Sequence, residues 1–327
     1  MKTSHKIVLS IAVLLIVGGI GGYFYARQLF RAPQNQLLIT GLPATLPFVW
    51  HAEDTGSGPV AHAGLLVPVQ VPGCSRPCYL QFDTGAPYSV LYANPLAALQ
   101  QQYPTMRLAF SAGGDTLKNF RCSLGNGQVL ARTVKVLPLG AKQLPEASSN
   151  EHFIIGTLGT DFMDGRVLII NYPQQQITLA TAVPDSLKQR MVAVPLTFES
   201  RRVLLTPQVE GKAQQLLFDS GSSAFALLTS RTIWDKLAQP KALVQTTTVN
   251  SWGKSLTAHT APTAAQLGFG DQQVALGTVT NIEGTSFVQN LMMRVSGMGG
   301  MLGNAPFEHH TVVMDVKGGH FGILQTN

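Results

Sequence analysis

Two hexapeptides constrain this chain more than anything else in it. Leu80-Gln81-Phe82-Asp83-Thr84-Gly85 ends an apolar, β-type run in an aspartate followed at once by Thr-Gly. Leu216-Leu217-Phe218-Asp219-Ser220-Gly221 does the same in the second half. An aspartate at the end of a buried strand is costly unless it is paired or hydrogen-bonded. One Asp-Thr-Gly triplet alone would read as an exposed turn. Two, each behind a Phe and an apolar run, read as halves of a site that needs two carboxylates.

The surroundings repeat in one order. A β-type run over Ala63 to Val71, a turn, and a returning strand from Tyr79 to Phe82 precede Asp83; Val203 to Val209, the turn Glu210-Gly211-Lys212, and Gln214 to Phe218 precede Asp219. A leucine lies 8 residues after each aspartate (Leu91, Leu227), and a helix cap is expected 11 residues after it, at Asn94 and Ser230. Gly114-Asp115-Thr116-Leu117 matches Gly253-Lys254-Ser255-Leu256, and Leu124-Gly125-Asn126-Gly127 matches Leu267-Gly268-Phe269-Gly270. Leu158-Gly159 and Leu302-Gly303 each lead, 12 residues after the glycine, to a polar residue closing an apolar strand, Asn171 and Asp315. Such a run of matched features points to a duplicated architecture. The spacing predicts an all-β, two-lobed body with pseudo-two-fold symmetry. Its parts are a first lobe over 32–185 and a second over 186–327, with the crossover in 181–195.

Composition agrees. Of 327 residues 45% are hydrophobic and only 12% charged, with 32 Gly and 19 Pro, which suits a β-rich enzyme and excludes a disordered chain or a coiled coil. Lys2, Lys6, Arg27 and Arg31 supply +4 of the net +6, so little basic charge remains for nucleic-acid binding. Ile7 to Tyr25 is nearly continuous apolar sequence, long enough to span a bilayer. With Lys2 and Lys6 before it, it reads as an N-terminal transmembrane helix within an anchor over 1–31, N-terminus inside. A cleaved signal is the alternative, opposed by bulky Tyr23-Phe24-Tyr25 where small residues would be needed. Either way the body lies outside the cytoplasm, and the setting that fits is a bacterial periplasm. Cys74 and Cys78 straddle the tip of the first hairpin and are a candidate disulfide in an oxidising compartment, or else reduced thiols; Cys122 has no assigned partner. Glu308-His309-His310 is placed on a strand, where neighbours point to opposite faces, so no metal site is expected there.

The two turns together define a chemistry. Carboxylates brought close on a two-fold axis cannot both ionise readily and share one proton. The ionised one can take a proton from a water held between them, and the protonated one can donate to a substrate carbonyl. Gly85 and Gly221 are expected to permit a sharp turn with φ > 0 and to aim their amides at the carboxylates. Thr84 and Ser220 would bond backbone across the axis. Ser222 can reach the outer oxygen of Asp219, whereas Ala86 at the matching place cannot. The proton is therefore expected on Asp83 and the charge on Asp219.

On Asp83-Thr84-Gly85-Ala86, Asp219-Ser220-Gly221-Ser222-Ser223, Leu158-Gly159 and Leu302-Gly303, residues 45–325 resemble the aspartic protease clan. The two-lobed chain is similar to pepsin-like enzymes, and the short lobes are similar to bacterial retropepsin-like domains. The resemblance implies an aspartic endopeptidase with Asp83 and Asp219 as its catalytic pair, a polypeptide substrate and a monomeric catalytic unit. It implies no cofactor or metal. It also implies a flap at Gly113, Gly114 and Asp115, with Trp252 and Gly253 in the counterpart loop of the second lobe. The departures are the absence of a flap tyrosine, Pro87 where Ser or Thr is common, and Ala86. From Ala86, which removes a hydrogen bond to an ionised Asp83, an optimum less acidic than a digestive enzyme's is expected. The missing flap tyrosine favours an alternative reading, an inactive module that binds peptides or an envelope partner in the same cleft.

Overall fold

The computed structural model describes residues 33–54, 58–106, 108–146, 149, 151–251, 254–284 and 298–324. Residues 1–31, with the expected anchor, and the counterpart loop residues Trp252 and Gly253 lie outside them. No helix among the described residues is long and apolar enough to cross a membrane. Asn35–Asn327 forms one compact unit.

The duplication is visible strand by strand. In the first half, Pro59–Val69 pairs antiparallel with Cys78–Phe82, which pairs parallel with Ile154–Leu158; that strand pairs antiparallel with Val90–Tyr92, which runs parallel to Gly127–Leu137. In the second, Arg202–Leu205 pairs antiparallel with Leu216–Phe218, parallel to Gly300–Leu302; that strand pairs antiparallel with Leu227–Thr229, parallel to Thr278–Glu283. The same sequence of pair types repeats without exception. Each aspartate follows a strand whose outer neighbours are set by its own lobe: Leu80 and Phe82, Leu216 and Phe218 point into the core and are buried. The Asp is thus carried to the sheet's end on a rigid element.

A third group of strands joins the halves. Ala44–Pro47, Gln176–Ala180, Val167–Asn171, Thr311–Asp315, His320–Leu324 and Val192–Glu199 lie side by side in that order. Val167 pairs with Asp315, Ile169 with Val313 and Asn171 with Thr311. In the sequence repeat Ile169 and Val313 are equivalent positions, as are Asn171 and Asp315. Equivalent residues that pair with each other lie on a two-fold axis, so this register places the axis between Ile169 and Val313.

Several local expectations shift. The first helix, Ala93–Gln102, starts one residue before Asn94, and Tyr92 takes the cap position without a side-chain bond. The Asn94 amide instead donates to the Gly140 carbonyl at 3.0 Å. Ser230 does cap Arg231–Leu237, accepting from the Ile233 amide. The turn equivalent to Gly125 (φ 56°) is Gly270 (φ 64°), two residues beyond the Gly268 match, because the second lobe's hairpin turns after Phe269. A two-residue slip keeps every side chain on its face, which is why pattern matching does not detect it. Glu308, His309 and His310 lie in a turn after Ala305–Phe307, not on a strand, and Glu308 Oε1 pairs with His62 Nδ1 at 3.0 Å.

Candidate active site

The two Asp turns meet, and they meet reciprocally. The Thr84 amide donates to Ser220 Oγ at 2.9 Å, and the Ser220 amide donates to Thr84 Oγ1 at 2.8 Å. Thr84 Oγ1 in turn donates to the Phe218 carbonyl at 2.8 Å, and Ser220 Oγ to the Phe82 carbonyl at 3.0 Å. Each hydroxyl therefore spends its one proton on the opposite strand and accepts from the opposite amide. Both side chains are fully buried. Removing either hydroxyl would strand two backbone groups away from water.

Gly85 and Gly221 donate to the inner oxygens of their own aspartates, Asp83 Oδ1 at 2.8 Å and Asp219 Oδ1 at 3.0 Å. Neither glycine has positive φ, contrary to the expected reason for it. The reason is close approach. A Cβ on Gly85 would sit 2.5 Å from Asp219 Oδ1, and one on Gly221 would sit 2.6 Å from Asp83 Oδ1. Each glycine is the floor under the opposite carboxyl.

The carboxyls of Asp83 and Asp219 come together over the two glycines, each above the glycine of the opposite turn. Asp83 is pushed up from 3.8 to about 7, by burial first, then by the negative charge of Asp219. The asymmetry follows from the loops. Ser222 Oγ donates to Asp219 Oδ2 at 2.8 Å, and Ala86 offers Asp83 no such bond. Asp83, pushed up to about 7, is the member whose environment favours keeping a proton.

Behind the loops, the strands bearing Leu158-Gly159 and Leu302-Gly303 pass too close for any side chain. A Cβ on Gly159 would lie 2.6 Å from Tyr88 backbone, and one on Gly303 would lie 2.5 Å from the Ser222 carbonyl. The residues after these glycines tie the loops down, and the sequence reading had not singled them out. Thr160 donates from its amide to the Ala86 carbonyl at 2.9 Å. Asp161, buried, accepts from the Ser89 amide at 2.9 Å and from Ser89 Oγ at 2.7 Å; burial pushes its carboxyl up and those bonds oppose it. In the second lobe Asn304 Nδ2 donates to the Ser220 carbonyl and to Ser223 Oγ, while Tyr172 OH donates to Asn304 Oδ1 at 2.7 Å. The only sequence signal for Thr160 and Asn304 was position, directly after Leu-Gly. Tyr92 was also missed: its hydroxyl bonds Thr157 Oγ1 at 2.7 Å, and burial, with the Asp83 charge adding to it, pushes it up.

Gly113, Gly114 and Asp115 form the exposed tip of the hairpin joining Ala109–Phe110 to Thr116–Leu124, and Asp115 accepts from Ser111 Oγ and Thr116 Oγ1 within it. The second-lobe hairpin, Gln245–Ser251 with Lys254–Pro262, stands at the equivalent place in its sheet. Cys74 and Cys78 are free thiols with sulfurs 4.0 Å apart, and burial beside Cys74 pushes Cys78 up to about 12.

No family model matches the chain, and no curated protein does. Among solved structures the chain is similar to the aspartic proteinase from Irpex lacteus, at 11% identity and a TM-score of 0.43, over 89% of this chain and 98% of that one.

Proposed function

We propose that the protein is an aspartic endopeptidase that hydrolyses peptide bonds with water activated by the Asp83/Asp219 pair. The observation that carries this reading is the reciprocal lock at Thr84 and Ser220, with each glycine floor beneath the opposite carboxyl. A pair of turns whose only task was structural would not need two carboxylates held against each other in a partly buried setting. The cost of that arrangement makes sense for a proton-sharing site.

In the proposed reaction, a water lies between the carboxyls. Ionised Asp219, steadied by Gly221 and Ser222, takes one proton from it as its oxygen attacks the substrate carbonyl carbon. Protonated Asp83 donates to the carbonyl oxygen, giving a neutral gem-diol. Collapse returns a proton from the diol to Asp83, and the proton on Asp219 passes to the leaving nitrogen. The products are a carboxylic acid and an amine. No covalent enzyme intermediate and no cofactor enter. Because both aspartates belong to one chain, a monomer suffices. The apolar stretch Ile7 to Tyr25 after Lys2 and Lys6 supports a tethered enzyme facing outward, in a bacterium the periplasm.

The test is cleavage of a denatured polypeptide by the full chain in detergent, from pH 3 to pH 8, with Asp83→Asn and Asp219→Asn run separately. Loss of cleavage in each variant supports the shared pair, and cleavage that survives in either one sinks it. A folded wild type that cleaves nothing at any pH favours the peptide-binding alternative.

A further inference from the structure

The first lobe's catalytic turn is held from the second lobe. Val192–Glu199 and Arg202–Leu205 form a hairpin that closes at the pair Glu199 and Arg202, with Ser200 and Arg201 as its two turn residues. Both have left-handed backbones, φ 49° and 59°. Such turns are usually built from Asn-Gly or Gly-Gly, because a Cβ is disfavoured there. A break in a local rule asks what the side chain obtains in return. Arg201 is buried, 8% exposed, and its Nε donates to Asp164 Oδ2 at 3.0 Å. Its Nη1 points to the Pro87 carbonyl at 3.4 Å, and its own carbonyl accepts from Thr160 Oγ1 at 2.6 Å. Thr160, through its amide, holds the Ala86 carbonyl, and the Ala86 amide closes the Asp83 turn on the Asp83 carbonyl at 3.2 Å. Asp164 also accepts from Asn35 Nδ2 at 3.3 Å, which brings the start of the body to the same carboxylate.

The second lobe's turn carries more bonds of its own. It has Ser222 on the carboxylate, and Ser223 and Asn304 on the Ser220 carbonyl, with Tyr172 of the first lobe steadying Asn304. The first lobe has Ala86 and Pro87 at the places of Ser222 and Ser223, so it lacks both hydroxyls.

We propose that the Asp164–Arg201 pair is a clasp between the lobes that positions Asp83, with Arg201 a positioning residue for the peptidase reaction. This rests on the peptidase reading. The clasp sets where the Asp83 turn sits relative to Asp219 and does not touch substrate.

The experiment compares Arg201→Lys, Arg201→Ala, Asp164→Asn and the Arg201→Ala/Asp164→Asn double variant in the full chain. Lys188→Ala, which breaks an exposed ion pair with Asp185, is the control. Two readouts are taken: cleavage kinetics, and titration of the Asp83 carboxyl carbon by NMR. We expect kcat to fall about tenfold or more in Arg201→Ala and Asp164→Asn with KM within about twofold, the double variant no worse than the singles, and Arg201→Lys to recover part of kcat. The Asp83 titration midpoint should move in the same variants and not in the control. A lower melting temperature with unchanged kcat and an unmoved Asp83 midpoint would make the pair merely structural and overturn the proposal. If the folded wild type cleaves nothing yet the Asp83 midpoint moves with Arg201, the clasp stands and the peptidase reading fails.

Discussion

Replacing Asp83 by Asn should abolish activity while making the protein more stable above neutral pH. Asn keeps an Oδ1 for the Gly85 amide, and its Nδ2 donates toward Asp219 where the shared proton lay. It therefore copies the protonated side chain and cannot ionise. In the wild type, Asp83 rises from 3.8 unfolded to about 7 folded. Because the folded value lies above the unfolded one, the stabilisation tied to that proton is complete below pH 3.8 and is lost as pH climbs through about 7. At 1.36 kcal/mol per pH unit the loss has a ceiling of about 4 kcal/mol, reduced because Asp219 shares the proton. Urea denaturation of both proteins at pH 4 and pH 8.5 checks this. The expected result is near-equal stability at pH 4 and a gain of about 2 kcal/mol or more for Asp83→Asn at pH 8.5. Equal stabilities at both pH values would refute the claim that Asp83 holds its proton in the folded state.

Three further outcomes follow from the site. Thr84→Val leaves the Ser220 amide and the Phe218 carbonyl buried without their partners, and should cost about 3 kcal/mol in denaturant unfolding as well as activity. Ser222→Ala removes the donor on Asp219 Oδ2 and should lower kcat/KM about tenfold while that variant still unfolds cooperatively. Tyr172→Phe keeps the ring against Trp50 and deletes the bond to Asn304, and should lower stability by about 1 kcal/mol, read from the urea midpoint.

What could be read from the chain in advance was whatever is local and repeated. The aspartates, their Thr/Ser-Gly neighbours and the Leu-Gly pairs carry their meaning within a few residues, and duplication raised them above chance. Ser230 as a cap was legible for the same reason. Asn94 was not, because its amide is claimed by Gly140, which lies 46 positions away in sequence. The glycine floors were placed correctly for a wrong reason: only the meeting of two lobes shows that Gly85 makes room for Asp219. Thr160, Asp161, Asn304 and Tyr172 act through contacts that cross from one strand end to another loop; Thr160 and Asn304 are marked locally only by following Leu-Gly, and nothing in their neighbours announces Asp161 or Tyr172. Arg201 is the extreme case, since an arginine in a two-residue turn reads as solvated until Asp164 is found beside it.

The central claim, one proton shared by two carboxylates with Asp83 holding it, is tested most directly by the pH dependence of kcat/KM on a polypeptide substrate. The account predicts a bell whose alkaline limb falls as pH passes about 7, where Asp83 loses the proton it must donate. A maximum near pH 2, or a rate that stays level to pH 9, would contradict it.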